Sequence, residues 1–270
     1  MTRWASDRLK DGDFPWWLVA VCLLGLAGYG AVLADELQAR VLMTLARGVQ
    51  VTVFVTLVAF ALASVLGMGV ALMSLSRLRL LRQLARFYTE ILRGVPMLVL
   101  LLYVAFVMAP ALVAGWNWVA GTLGLEPART RDFPLIWRAI MALTLGYSAF
   151  VAEVFRAGFL SVDEGQIEAA QALGLSGWQR FRLVMLPQAI RTILPPLGND
   201  FVAMVKDSSL VSVLGVLDVT QLGKVTAAGN FRYFETYNVV ALVYLTMTVS
   251  LSLGLRRLER HLRDRPGGAE

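Results

Sequence analysis

One cysteine and one histidine in 270 residues remove most metal and nucleophile chemistry from consideration. Cys22 lies in an apolar run, so there is no disulfide framework and no thiolate metal site. His261 lies in a charged tail, which leaves no basis for His-dependent catalysis or a His-rich metal site. Charge is scarce as well. Asp, Glu, Lys and Arg make up 16% of the chain, against about 25% in an average soluble domain. No Gly-rich phosphate loop of the Walker type occurs: Gly223-Lys224 is followed by Val225 and lacks the upstream glycine. The chain therefore offers no ATP site of its own.

What is abundant is apolar sequence: 57% hydrophobic residues and a mean hydropathy of +0.65. The net charge of +6 and pI near 9.8 would suit nucleic acid, but the basic residues fall in short clusters between long apolar runs. That is the pattern of loops in a membrane protein, and no nucleic-acid partner is expected. A helix needs about 20 apolar residues to cross the hydrocarbon core. Runs 15–34, 48–76 and 236–255 are free of charge. The third run in chain order, 94–125, predicts one span ending near Pro110, with Trp116, Asn117 and Trp118 in an interfacial segment. Residues 134–155 predict a fourth span, with Glu153 and Arg156 near its end. A fifth begins after Pro195 and Pro196 and runs to about Leu217, interrupted by Lys206 and Asp207. The expectation is an all-α integral membrane protein with six transmembrane helices.

Arginine and lysine set the orientation. Arg3, Arg8 and Lys10, then Arg77 to Arg93, then Arg156, Arg180, Arg182 and Arg191, and finally Arg256 to Arg265 fall on one side. Arg40, Arg47, Arg129, Arg131, Arg138, Lys224 and Arg232 are the smaller set on the other. Both termini are expected in the cytoplasm. A basic N-terminus before an apolar run also describes a signal peptide, with Val32-Leu33-Ala34 as a cleavage site. The run exceeds the usual 7–15 residues, so a retained anchor is the reading preferred.

The loop 162–196 is too polar to be a span and too ordered to be a linker. Ile167 to Leu173 are good helix formers, and Gly174 suits the left-handed position that ends a helix. Ser176 caps a second helix, with Gln179 completing a capping box. Pro187 is expected to end that helix. The result is a compact helical hairpin facing the cytoplasm.

Glu168-Ala169-Ala170, three residues, Gly174, nine residues, Val184, one residue, then Leu186-Pro187 resembles the signature loop of permease subunits of binding-protein-dependent ATP-binding-cassette (ABC) importers. Gly146-Tyr147-Ser148-Ala149-Phe150, Ala152-Glu153, Arg156-Ala157-Gly158 and Gly165-Gln166 resemble the branch for polar amino acids. Arg93-Gly94-Val95-Pro96 is similar to its Arg-Gly-Thr-Pro element, with Val95 in place of threonine. Lys206-Asp207-Ser208-Ser209-Leu210 is similar to its Lys-Asp-Thr-Ser-Leu run. The likeness covers roughly residues 49–255 and leaves the first span and the tail outside it.

The resemblance implies a five-helix importer core plus one N-terminal helix. It divides the chain into an N-terminal segment and extra helix (1–47), a transmembrane domain (48–258) with its coupling loop, and a tail (259–270). It implies a bacterial inner-membrane subunit, not an enzyme, which moves amino acids inward by alternating access. The implied partners are a cytoplasmic ABC ATPase dimer carrying ATP-Mg, a second permease (identical or homologous) and a periplasmic substrate-binding protein. No cofactor of its own is implied. The hairpin residues Glu168, Ala169, Ala170, Gly174, Val184, Leu186 and Pro187 would dock into the ATPase; small Ala169, Ala170 and Gly174 would admit a close approach. A bare solvated hairpin is the alternative.

Lys206 and Asp207 are the costliest residues, because ionisable groups within a span face a cavity or another group. With Ser208 and Glu153 they are candidates for the substrate path or a gate. Being adjacent, Lys206 and Asp207 point about 100° apart on a helix, so pairing with Glu153 or Arg156 on another span is the competing expectation. Gly67-Met68-Gly69 and the glycines at 25, 28 and 30 are candidates for helix packing. The basic stretch from Arg77 to Arg93 suits membrane lipid headgroups. A permease for another small solute and a secondary transporter remain as alternatives, although no symmetry between the halves supports the latter.

Overall fold

The computed structural model describes residues 16–263. Arg3, Arg8 and Lys10, Arg265, the end of the tail and the start of the first apolar run lie outside the described residues. Eleven α-helices are joined by short turns, with no strand among the described residues. Helix α1 (Trp16–Ala34) turns at Asp35 into α2 (Glu36–Ser74). Asp35 caps α2 by accepting from the Leu37 N–H at 2.8 Å, the role short acidic side chains fill at helix starts. At about 1.5 Å per residue α2 is about 58 Å long, roughly twice the hydrocarbon thickness.

Helix α3 is Arg79–Gly94, and the helical rod beyond it is α4 (Met97–Tyr103), a π-turn (Val104–Met108) and α5 (Ala109–Leu123). Helix α6 (Leu135–Leu160) is followed by α7 (Glu164–Ala172) and α8 (Gly177–Arg180). A second π-turn (Phe181–Met185) leads into α9 (Leu186–Asp207), then a 3-10 segment (Ser208–Leu214), α10 (Val219–Asn230) and α11 (Tyr233–Arg263). Among the described residues, four stretches are long and apolar enough to cross a membrane: Glu36–Ser74, Met97–Leu123, Leu135–Leu160 and Tyr233–Leu258. The other two expected spans are helical, but α1 has a shorter apolar stretch, Val19–Ala34, and α9 carries Arg191, Asp200, Lys206 and Asp207.

The main core lies between α2, α4 and α6, around Val55, Leu101, Val104, Ile140 and Leu143. Helices α2 and α6 pack most extensively, and Gly67 makes this possible: a Cβ there would lie 2.9 Å from the Ser148 carbonyl oxygen. Of the other glycines expected to pack, Gly28 meets Leu242, while Gly25, Gly30 and Gly69 face open space. A second cluster joins α1, α2, α10 and α11 through Val32, Val41, Leu45, Val219 and Val239. A third, around Phe155, Phe159, Ala189 and Ile193, holds α6 against α9.

The prolines correct the expectation most. Pro110 does not end its span: the rod continues to Leu123, past Trp116 and Trp118. Pro187 does not end the second hairpin helix, and Pro195 and Pro196 lie inside α9 rather than before it. Both Pro110 and Pro187 follow a π-turn by two residues. The wider turn shifts the backbone register, which relieves the clash a proline makes with the preceding carbonyls of a regular helix. The segment Arg77 to Arg93, read as a basic connection, is mostly helix α3. Ala85 and Thr89 on α3 face inward while Leu80, Leu84, Phe87 and Ile91 are exposed. Helix α3 stops where Pro96 disfavours helical geometry at Val95. Tyr88 Oη lies 2.6 Å from Ser148 Oγ, so α3 runs beside the midpoint of α6.

Candidate functional site

The hairpin forms as local chemistry dictates. Asp163 starts α7 by accepting from the Gln166 N–H. Gly174 (φ +76°) ends it, with the Leu175 N–H bonded to the Ala170 carbonyl and the Gly174 N–H to Gln171, a Schellman closure. Ser176 and Gln179 make the reciprocal capping box. Arg180 Nη1 donates to Gln171 Oε1 at 2.9 Å, tying the two helices. Phe181 sits between Phe159 of α6 at 5.6 Å and Trp178 at 5.7 Å, which anchors the hairpin to the membrane domain.

Glu168, Ala169, Gly174 and Pro187 are exposed, Val184 and Leu186 are half-buried, and Ala170 is buried against the hairpin itself. Ala170 therefore serves internal packing, while Ala169 and Gly174 present the small surface. Sequence reasoning missed Leu173, 82% exposed, and Trp178 and Leu183, which also stand out from the hairpin. Large apolar residues flanking a predicted reversal were the available signal, since an isolated hairpin has no use for them there.

A second constellation winds obliquely around α6. Tyr147, Phe150, Glu153 and Arg156 recur every third residue, which aligns them as a slanted ridge. Tyr147 Oη donates to Asp207 Oδ2 at 2.8 Å. The Tyr147 and Phe150 rings are 6.2 Å apart, and the Arg93 guanidinium lies 5.6 Å from the Phe150 ring centre, within cation–π range. Glu153 Oε2 accepts from Arg156 Nε at 3.1 Å and Nη2 at 2.7 Å. Arg93, Glu153 and Arg156, with Arg86 and Glu90, line a cavity of about 510 Å3 between α2, α3 and α6. Two turns from Asp207 on the same face of α9, Asp200 holds a buried Oδ2 with no hydrogen-bond partner among the described residues.

The sequence candidates thus separate. Asp207 and Glu153 join this file, but Asp207 pairs with Tyr147, and Glu153 and Arg156 pair with each other, correcting the expectation that they would serve Lys206 or Asp207. Ser208 is buried and donates to the Val205 carbonyl at 2.7 Å. Lys206 is exposed against α11. Sequence reasoning missed Arg93, Tyr147 and Asp200 as site residues. The seven-residue spacing of Asp200 and Asp207 could have flagged the third. No group of three or more His, Cys, Asp or Glu is placed to hold a metal ion among the described residues.

Residues 63–265 match the family described as Binding-protein-dependent transport system inner membrane component. The probable amino-acid permease protein YxeN of Bacillus subtilis (strain 168) is 36% identical over 210 residues, covering 78% of this chain and 87% of that protein. The glutamine transport system permease protein GlnP of Escherichia coli (strain K12) is 38% identical over 179 residues, covering 66% of this chain and 74% of its own length. Among solved structures, an amino acid ABC transporter with histidines superposes with a TM-score of 0.67 at 34% identity, covering 81% of this chain and 94% of that chain. An inward-facing MetNI methionine ABC transporter shares the fold at a TM-score of 0.63 and 22% identity, covering 82% of this chain and 96% of that one.

Proposed function

Because the chain belongs to the binding-protein-dependent transport system inner membrane component family, we propose that it is the permease of an ATP-driven importer for amino acids. It is a multi-pass inner-membrane transport subunit, not an enzyme, and ATP is hydrolysed on a separate subunit. The observation that carries the substrate class is the likeness to relatives named for amino-acid and glutamine transport, and to an amino acid ABC transporter at 34% identity.

The geometry supports the same class. An amino acid presents an ammonium and a carboxylate, and the file on α6 offers Asp207 and Asp200 for the first and Arg93 for the second. Phe150 is exposed beside Arg93, so the file fronts a path completed by a second permease, identical or homologous. The cavity below it, with Glu153 and Arg156, is the route onward.

The hairpin docks on a cytoplasmic ATPase dimer that holds ATP-Mg. Glu168 supplies charge, Ala169 and Gly174 close approach, and Leu173, Trp178 and Leu183 apolar area for that contact. In this arrangement α1, α2, the α4–α5 rod, α6, α9 and α11 are the six spans, with the first apolar segment retained and both termini cytoplasmic. Residues 1–47 comprise the N-terminal segment and extra helix, 48–258 the transport core and 259–270 the tail. A periplasmic substrate-binding protein delivers to the opposite face.

Reconstitution with the ATPase and binding protein into proteoliposomes tests this. Labelled amino acid should accumulate only with ATP and the binding protein together. Uptake that persists without both would make the chain a secondary transporter, and accumulation of a different solute class alone would remove the amino-acid assignment.

A further inference from the structure

Glu90 is flanked on α3 by Arg86 four residues before it and Arg93 three residues after it. Opposite charges at these intervals face one another on a helix. Three such pairs close elsewhere in the fold: Glu36 with Arg40, Glu153 with Arg156 and Arg232 with Glu235. Glu90 closes neither pair open to it. Arg93 turns to the Phe150 ring instead, and among the described residues neither Glu90 nor Arg86 has an ion-pair partner. All three side chains line the cavity of about 510 Å3 between α2, α3 and α6. The other polar groups on its walls are already served. Glu153 and Arg156 hold each other, the Thr89 hydroxyl donates to the Arg86 carbonyl at 3.0 Å, and that of Ser74 donates to the Ala71 carbonyl at 2.7 Å. A free carboxylate and a free guanidinium, one helical turn apart, therefore share this chamber.

The geometry points to a second amino-acid site in this cavity, separate from the Asp207 file. Arg86 takes the α-carboxylate, Glu90 the α-ammonium, and the ligand's side chain lies along the apolar wall of Val70, Ala85 and Ala152. Positions four apart on a helix are about 5–6 Å from each other, close enough for the two side chains to grip both ends of one zwitterionic head group. A simple anion would meet Glu90, and a simple cation would meet Arg86 and Arg93, so only a ligand carrying both signs uses both free groups. The volume lies within the range of small-molecule sites, about 300–1,000 Å3. Ser74 and Leu75 close α2, and Leu160 closes α6 just before the hairpin, so the cavity lies toward the hairpin end of the bundle. An amino acid leaving the file passes Arg93 and is held there before release. The identity of the ligand rests on the amino-acid importer reading.

Flow dialysis of the permease–ATPase complex with radiolabelled glutamine, without ATP or binding protein, reads the site directly. Two components of binding are expected, one sensitive to D207N and the other weakened about tenfold by each of R86Q and E90Q. R86K should retain the second component. In the wild type, N-acetylglutamine, which lacks the ammonium, and sodium phosphate should fail to displace it. A single component that is lost in D207N and unchanged in R86Q and E90Q overturns the proposal, as does the absence of any binding to the wild type. The competition arm needs no variant, so misfolding does not shelter the proposal: displacement by N-acetylglutamine as effective as by glutamine overturns it. Equal displacement by sodium phosphate does the same, making the site one for a free anion. Absence of the Arg86-dependent component with normal ATP-driven uptake removes this site and leaves the importer reading standing; failed uptake with that component present does the reverse.

Discussion

Arg138 donates from Nη1 to the carbonyl of Ala105 at 3.0 Å, the carbonyl that the π-turn before Pro110 leaves without its helical donor. In regular helix the Ala109 N–H would serve Ala105, but it bonds Val104 instead, and Pro110 has no N–H to offer. The same guanidinium also donates to the Phe133 and Thr130 carbonyls. A buried cation thus completes a broken helix and fixes the turn before α6. Arg138→Met is expected to lower stability by about 2–3 kcal/mol, read as a reduced melting temperature in detergent. Pro110→Ala should shrink that loss, since an alanine there restores a backbone donor; equal losses in both backgrounds would show that Arg138 does not serve the π-turn.

Tyr147→Phe removes the donor to Asp207 and leaves that oxygen unserved. The expected result is a KM for uptake raised about tenfold, with ATP-dependent accumulation still measurable. Asp207→Asn should alter the ranking among cationic, neutral and acidic amino acids more than it alters total uptake. An unchanged ranking would place Asp207 in packing rather than recognition.

Local signals explain what could be read in advance. The hairpin follows from Gly174, Ser176 and Gln179, whose roles are set by neighbours within a few residues. The runs that became α2, α6 and α11 are visible because the apolar stretches are long. Pro110, Pro187, Pro195 and Pro196 misled because a proline's cost depends on what surrounds it. Two of them follow π-turns, and the Ala105 carbonyl is served from Arg138, 33 positions away. Helix α3 was hidden because its arginines read as a loop, and only contacts distant in sequence, Tyr88 with Ser148 and Arg93 with Phe150, show it packing along α6. The α6 file depends on α3, α6 and α9 meeting, which no single segment encodes.

Gly174→Asp is expected to leave insertion intact while lowering ATP-driven uptake about tenfold or more. The φ of +76° disfavours any β-carbon, so Gly174→Asn is the control: asparagine tolerates this geometry better than most residues and adds no charge. If the aspartate variant transports normally in proteoliposomes, the hairpin is not the ATPase contact.

At Gly48, α10 lies against α2 with no room for a side chain. A Cβ would fall 2.7 Å from the Val219 nitrogen and 2.8 Å from the Asp218 carbonyl carbon, both backbone atoms that cannot rotate aside. Gly48→Ala should therefore cost about 1–3 kcal/mol, despite alanine's better helix propensity. Gly69→Ala, with open space around it, should be neutral or slightly stabilising. Equal melting temperatures for the two variants would refute this close approach.

Asp218, just before α10 and fully buried, couples that packing to pH. It caps α10 through the Gln221 N–H at 2.8 Å and accepts from Tyr244 Oη at 3.1 Å. Burial pushes its carboxyl above the usual carboxylate range, more than the hydrogen bonds from Gln221, Thr220 and Tyr244 pull it down. A raised folded value means that the folded state holds the proton more tightly. The stabilisation is full below the ordinary value of 3.8 and is lost as pH rises through the raised one. Asp218→Asn lacks this titration. The melting-temperature difference, wild type minus variant, should therefore fall as pH is raised from about 4 to 7. A difference that grows over that range would mean that the hydrogen bonds, not burial, dominate at this carboxyl.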